Sequence, residues 1–172
     1  MKRIILAAIA MMAMAQAQAG YVFSYETEDG DVLTGTALGT RDGDLVYVTA
    51  LSNVTYNEVA IEELTGELNF IGTVATFMDG EWDEPGILSF SGANMDLMTC
   101  HTTWCDDGFT FVTVDSYEVK NAFEISSWTG DLYHFEAFSP ARWSLAVPEP
   151  STLGLLGLGL VGILARRRRL AA

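Results

Sequence analysis

The chain has 172 residues and a formal net charge of −14, with 49% hydrophobic and 11% aromatic residues, about one domain by length. Between Gly20 and Val147, 22 acids face only three cations, Arg41, Lys120 and Arg142, an excess of −19, which excludes a nucleic-acid binder that tracks phosphates with clustered cations. Nine Phe, six Tyr and four Trp exclude a disordered acidic tail, which would lack the apolar area to offset chain entropy.

Met1-Lys2-Arg3 opens the chain with positive charge, Ile4 to Ala15 is an apolar run of 12 residues, and Ala17-Gln18-Ala19 is a small-x-small site. This is the pattern of a secretory signal peptide over residues 1–19, with cleavage between Ala19 and Gly20. A retained anchor helix is the weaker reading, because the run falls short of the ~20 residues that span a bilayer. Export places residues 20–147 in an oxidising compartment, where two cysteines pair rather than stay free.

From Tyr21 to Val147 a two-residue rhythm is broken by turn residues about every 8 to 12 positions, which predicts an all-β domain, a single antiparallel β-sandwich or small barrel. Predicted strands are Tyr21–Thr27, Val32–Thr40, Leu45–Leu51, Leu68–Phe77, Ile87–Phe90, Phe109–Val114, Phe123–Trp128, Leu132–Phe138 and Arg142–Val147. Asn57–Leu64 reads as either a helical turn or a strand, and no internal repeat suggests a propeller or solenoid. Asp-Gly pairs at 29–30, 42–43, 79–80 and 107–108 favour tight hairpins. A two-residue Asp42-Gly43 loop pairs Arg41 with Asp44, Leu38 with Tyr47 and Thr36 with Thr49. A two-residue Asp29-Gly30 loop sets Tyr21 opposite Leu38. The expected core stripe is then Tyr21, Phe23, Leu38, Tyr47 and Leu51, with Gly35, Ala37 and Gly39 on the reverse. This register sets Glu28 against Asp31, a repulsion that a longer loop relieves.

Cys100 and Cys105 bracket four residues, and a local disulfide is the expected state. Cys100, His101, Cys105 and Asp106 as zinc ligands is the alternative, but the spacing matches no common finger and the only other histidine is His134; a redox Cys-x-x-Cys is excluded by the gap. Asp79, Glu81 and Asp83 alternate like the first ligands of a calcium loop, yet Glu84 and Phe90 stand where an EF-hand needs Gly and Glu. A loosely bound calcium in this acidic loop stays open; otherwise no cofactor is expected. Catalytic patterns are poor: there is no G-x-S-x-G, no H-E-x-x-H, and only two histidines. Two carboxylates would suffice for a glycosidase, but nothing selects a pair. Trp82, Trp104, Trp128 and Trp143 could line a carbohydrate-binding face, although aromatics in strands are more often core.

The chain closes with Pro148-Glu149-Pro150, Ser151-Thr152, an apolar Gly/Leu run from Leu153 to Ala165, and Arg166, Arg167, Arg168 and Arg169. The prolines keep a helix from starting before Ser151 or Thr152. Fifteen residues from Ser151 to Ala165 span 22.5 Å at ~1.5 Å each, short of a ~30 Å hydrocarbon core, which thinning and snorkelling arginines accommodate. The arginine block acts as a stop-transfer charge and stays cytoplasmic. Gly157 to Gly162 spells G-x-G-x-x-G, but it lacks the strand-helix setting of a dinucleotide site.

Residues 147–169, with their Pro-Glu-Pro triplet, short Gly/Leu run and arginine cluster, resemble the PEP-CTERM sorting signal of Gram-negative bacteria. The resemblance implies export by the general secretion machinery, a transient inner-membrane anchor and recognition of Pro148, Glu149 and Pro150 by exosortase. It also implies release to the cell surface and an association with exopolysaccharide and biofilm. Gly35-Thr36, Asp42-Gly43-Asp44 and Ser52 to Tyr56 resemble the Thr/Gly-rich β-domains that carry this signal. The reading expected on these grounds is a non-enzymatic surface or matrix protein of residues 20–147, with the sorting segment at 148–172. The alternatives are a carbohydrate-binding module or, more remotely, a secreted hydrolase.

Overall fold

The computed structural model describes residues 20–64, 70–80, 84–101, 105, 107–114, 121–127 and 132–147. Ala17 and Ala19 of the expected signal peptide, Glu81 and Asp83, three of the four tryptophans, Pro148, Glu149, Pro150 and the four arginines of the tail all lie outside them. Among the described residues eleven strands form one antiparallel sheet: β1 (Tyr21–Glu26), β2 (Val32–Asp42), β3 (Leu45–Tyr56), β4 (Val59–Ala60), β5 (Phe70–Gly72), β6 (Gly86–Ser89), β7 (Asp96–Cys100), β8 (Gly108–Val112), β9 (Ala122–Ser126), β10 (Tyr133–Ala137) and β11 (Trp143–Ala146). Two short helices, α1 (Ile61–Leu64) and α2 (Val74–Asp79), and a 3₁₀ turn (Pro140–Arg142) complete it.

The strand order is β10-β9-β8-β7-β6-β3-β2-β1-β11, with β4 beside β3 and β5 beside β7. Four strands lie between β1 and β8, a span of more than 20 Å in a flat sheet at ~4.8 Å per strand. Yet Phe23 of β1 sits 6.2 Å from Phe109 and 6.4 Å from Phe111 of β8, ring centre to ring centre. The sheet is therefore curled around its own inner face. Phe23, Tyr25, Phe109, Phe111, Phe123, Phe138 and Trp143 interlock there, and each fully buried ring contributes ~1.5–3 kcal/mol. No ladder joins β10 to β11 among the described residues. The expectation of a sandwich or small barrel is thus corrected to a single curled sheet whose free edges meet only through side chains.

The expected registers are corrected as well. The first loop holds three residues, Glu28 to Gly30: Thr27 N–H donates to Asp31 O, Gly30 N–H donates to Thr27 O, and Gly30 takes φ 88°. That one added residue separates Glu28 from Asp31 and sets Tyr21 opposite Ala37. A shift of one reverses the faces of a strand, so Leu33, Gly35 and Ala37 point inward and Leu38 outward. Gly35 is inside for a steric reason. A Cβ there would stand 2.5 Å from Phe23 Cζ and 3.1 Å from Val54 Cγ2, so its missing side chain is the space Phe23 fills.

In the second hairpin the two-residue loop is Gly43-Asp44, with Asp42 opposite Leu45, Gly39 opposite Val48 and Gly43 at φ 59°. β3 carries two extra residues relative to β2, one at each register shift; Asn53, φ 52°, lies at one of them. Val46 and Val48 are core in place of Tyr47, whereas Leu51 packs against the core as expected.

The predicted strand Leu68–Phe77 holds only as far as β5. Thr73 accepts from Thr76 N–H while Thr76 Oγ1 accepts from Thr73 N–H, a capping pair that starts α2. Gly80, φ 74°, ends it. β7 escapes the pattern because its first residue, Asp96, is a buried carboxylate; its Oδ1 accepts from Val74 N–H at 2.8 Å.

Candidate functional site

β1 and β11 run antiparallel, with Val22 opposite Ala146 and Tyr25 opposite Trp143. Gly20 and Val147 therefore leave the sheet at the same end, about one strand spacing, ~4.8 Å, apart. Beside them, on the outer face, Ala146, Val22, Thr36 and Ser52 form one row, and Ser144, Ser24, Thr34 and Thr55 form the next. Thr34 and Thr55 share a hydroxyl hydrogen bond of 2.9 Å. Tyr21–Tyr25, Val32–Thr40, Val46–Tyr56 and Trp143–Ala146 hold no charged residue, so the face stays uncharged until Glu26. Val22, Leu38 and Val147 are each more than one-third exposed at the exit end.

The opposite end is polar. Asn57 Oδ1 accepts from Val32 N–H while its amide donates to Asp31, and Tyr56 OH donates to Asp31 at 2.7 Å. The Asn57 and Tyr56 donors hold the Asp31 carboxyl below its ordinary value, and burial with the Asp31 bond pushes Tyr56 up. A shallow cleft lies over Val32, Thr34, Thr55, Asn57 and Glu58.

Between the free edges stands Glu136 of β10, its side chain 6% exposed. It accepts from Tyr25 OH at 2.5 Å, from Glu28 N–H at 2.8 Å and from Arg142 Nη2 at 2.9 Å, and it shares a 2.9 Å hydrogen bond with His134. Burial opposes its charge, but the Glu28, Tyr25, His134 and Arg142 contacts outweigh it and leave the carboxyl below its ordinary value. Tyr25 is pushed up to about 12 by burial and by this bond. The group acts as a polar latch that joins β10 to β1 and the segment before β11. The sequence does not mark it: His134 and Glu136 take inward positions opposite Ile125 and Phe123 only once β10 has paired with β9.

Gly20 lies against Thr36 and Leu38. Cys100 and Cys105 are joined in a disulfide with Cα atoms 4.9 Å apart. Trp143 is buried; its ring stacks on Phe23 and its Nε1 donates to Ser89 O at 2.8 Å, so it cannot join a sugar-stacking face. Among the described residues no three His, Cys, Asp or Glu side chains gather as metal ligands, and no helix is long and apolar enough to cross a membrane.

The exit end is where comparison with known proteins becomes informative. Residues 146–169 match the family model of the PEP-CTERM protein-sorting motif, and the match begins on Ala146, the last residue of β11. The chain thus carries the mark of an exported protein that is sorted via the membrane and processed by exosortase. No curated protein and no solved structure matches the chain.

Proposed function

We propose that this is a non-enzymatic surface or extracellular-matrix protein of a Gram-negative bacterium, made as a precursor with a cleaved signal peptide and a transient inner-membrane anchor. In this reading the curled sheet is the cargo and exosortase releases it. The observation that carries the proposal is the continuity of the edge strand with the sorting motif: β11 ends at Ala146 and Pro148 follows two residues later. Proline has no N–H for a strand ladder and resists helix in the residue before it, so the triplet favours an extended segment free of the sheet. The excess of 22 acids over three cations in residues 20–147 keeps the released domain soluble and suits contact with exopolysaccharide through divalent cations rather than a shaped pocket.

Mass spectrometry of the native extracellular protein tests this. A start at Gly20 and loss of the Leu153 to Ala172 region are expected. An intact C-terminus on cell-associated protein overturns the processing.

A further inference from the structure

Exposed apolar side chains gather at the exit end. Val22 is 46% exposed and Leu38 36%, and Ala146 is exposed beside them. Val22 and Ala146 are direct cross-strand neighbours, Leu38 lies two residues beyond Thr36, the partner of Val22, and Gly20 lies against Leu38. Diagonal neighbours of this kind are ~7–8 Å apart, so the side chains form one patch. It lies on the uncharged face of a domain that elsewhere carries a large excess of acids, and both terminal segments enter or leave beside it.

Chain length limits what can cover it. Six residue steps separate Val147 from Leu153, where the C-terminal apolar run begins. At ~3.6 Å per fully extended residue, this tether reaches at most about 22 Å. The exit end is therefore held close to whatever receives that run. A tether this short gives an effective concentration in the millimolar range, where a small apolar patch is sufficient for contact.

We infer that, in the anchored precursor, Val22, Leu38 and Ala146 rest on the outer surface of the phospholipid bilayer, with the strands rising away from it. The inference deepens the function proposed above and rests on its membrane-anchored precursor. The anionic groups are placed to suit it. Glu26, Glu28, Asp29, Asp31 and Glu58 stand at the far end, where they are spared repulsion from acidic headgroups. The hairpin tip beyond Leu38 carries Arg41 over the Phe90 ring at 4.2 Å and Asp44 bound to Ser91. With Asp42 this leaves only one net negative charge there. Contact of this kind buries apolar side chains ~5–10 Å into the headgroup boundary. Four residues at ~3.4 Å put Glu26 ~14 Å above Val22 along the same strand, out of its reach. The patch also fixes the depth at which the Pro148 triplet is presented.

The test uses the full chain in vesicles of equal parts phosphatidylcholine and phosphatidylglycerol, with photoreactive p-benzoylphenylalanine in place of Val22, Leu38 or Glu26. Lipid adducts are expected at 22 and 38 and lost at 26, and Leu38→Asp in the chain labelled at 22 is expected to reduce its adduct. Flotation of the wild-type chain with the vesicles reports the anchor separately. If the chain floats but labelling is equal at 22 and 26, or the adduct at 22 is to a second copy of the chain, the docking is overturned and the anchor stands. A wild-type chain that fails to float overturns both.

Discussion

Single residues decide this fold by what they leave empty and by which charges they bury. Gly35 is the clearest case, because Phe23 Cζ lies 2.5 Å from where a Cβ would be. Gly35→Ala should force the ring out of place and cost about 1–3 kcal/mol, read as a lower midpoint in urea with an unchanged slope; an unaltered midpoint contradicts the packing. Glu136 is the second case. Its carboxyl is held below the ordinary value despite burial, chiefly by the donors Glu28 N–H and Tyr25 OH with His134 and Arg142, and Asp31 is also lowered. Lowered acids contribute stability that is complete above the unfolded carboxylate range of about 4 and is lost as pH falls through the lower folded values. Tyr25, raised to about 12, contributes stability that is complete below the ordinary tyrosine value of about 10 and lost as pH rises through the folded one. Thermal unfolding against pH should thus fall away at both ends. In Glu136→Gln both slopes should flatten and the neutral-pH stability should drop by about 3 kcal/mol, the low end for breaking a buried pair, because Arg142, 22% exposed, can turn to water. Unchanged slopes in the variant would assign the pH dependence elsewhere.

At the scale of elements, the disulfide and the hairpins show how far local chemistry reaches. The Cys100–Cys105 bridge closes a ring of five sequence steps next to the end of β7, so the loop-entropy estimate for its stabilisation is only ~2 kcal/mol. Reduction should lower the urea midpoint accordingly and leave the sheet signal in circular dichroism at low denaturant; collapse of that signal would mean that the bridge holds the sheet itself. Strand existence was legible in the sequence because alternation is local. Tyr21, Phe23 and Tyr25 point inward as a period of two requires. Register was less legible, since it turned on one added residue at Glu28 to Gly30, which exchanged Leu38 for Ala37 on the inner face. α2 and β7 were hidden by each other. Thr73 falls inside the predicted strand Leu68–Phe77 and Asp96 in a stretch with no predicted strand, and together they make a helix start only once Asp96 Oδ1 meets Val74 N–H. The latch was illegible for the same reason: Glu136 and Tyr25 are 111 positions apart, and no local pattern indicates that a curled sheet brings its two edges together. The exit end was legible only in part. The sorting triplet is a linear signal, but the meeting of Gly20 with Val147 depends on β1 pairing with β11.

For the whole molecule, the folded part and the sorting motif share a boundary at Ala146, and the mechanics of the tail follow from that boundary. Pro148 and Pro150 cannot donate to the ladder that β11 makes with β1, and they resist helix in the residues before them. Glu149 stands in the sequence between a sheet that ends two residues before Pro148 and an apolar run that starts three residues after Pro150, and an extended triplet is what the proposed processing calls for. In the proposed precursor Arg166 to Arg169 would hold the far end, since each charged side chain drawn into hydrocarbon costs at least ~2.5 kcal/mol on insertion scales. Replacing both prolines by alanine should leave export intact, because the proposed signal peptide at residues 1–19 is untouched, while processing stops and an anchored form with an intact C-terminus accumulates. Replacing the four arginines by glutamine should weaken retention, so less of the chain is processed. Immunoblots of membrane and culture fractions, with the mass of the released form, separate these outcomes. If both variants were released with the wild-type C-terminus, neither the extended triplet nor the arginine stop would be what presents the tail, and the boundary at Ala146 would carry no mechanical consequence.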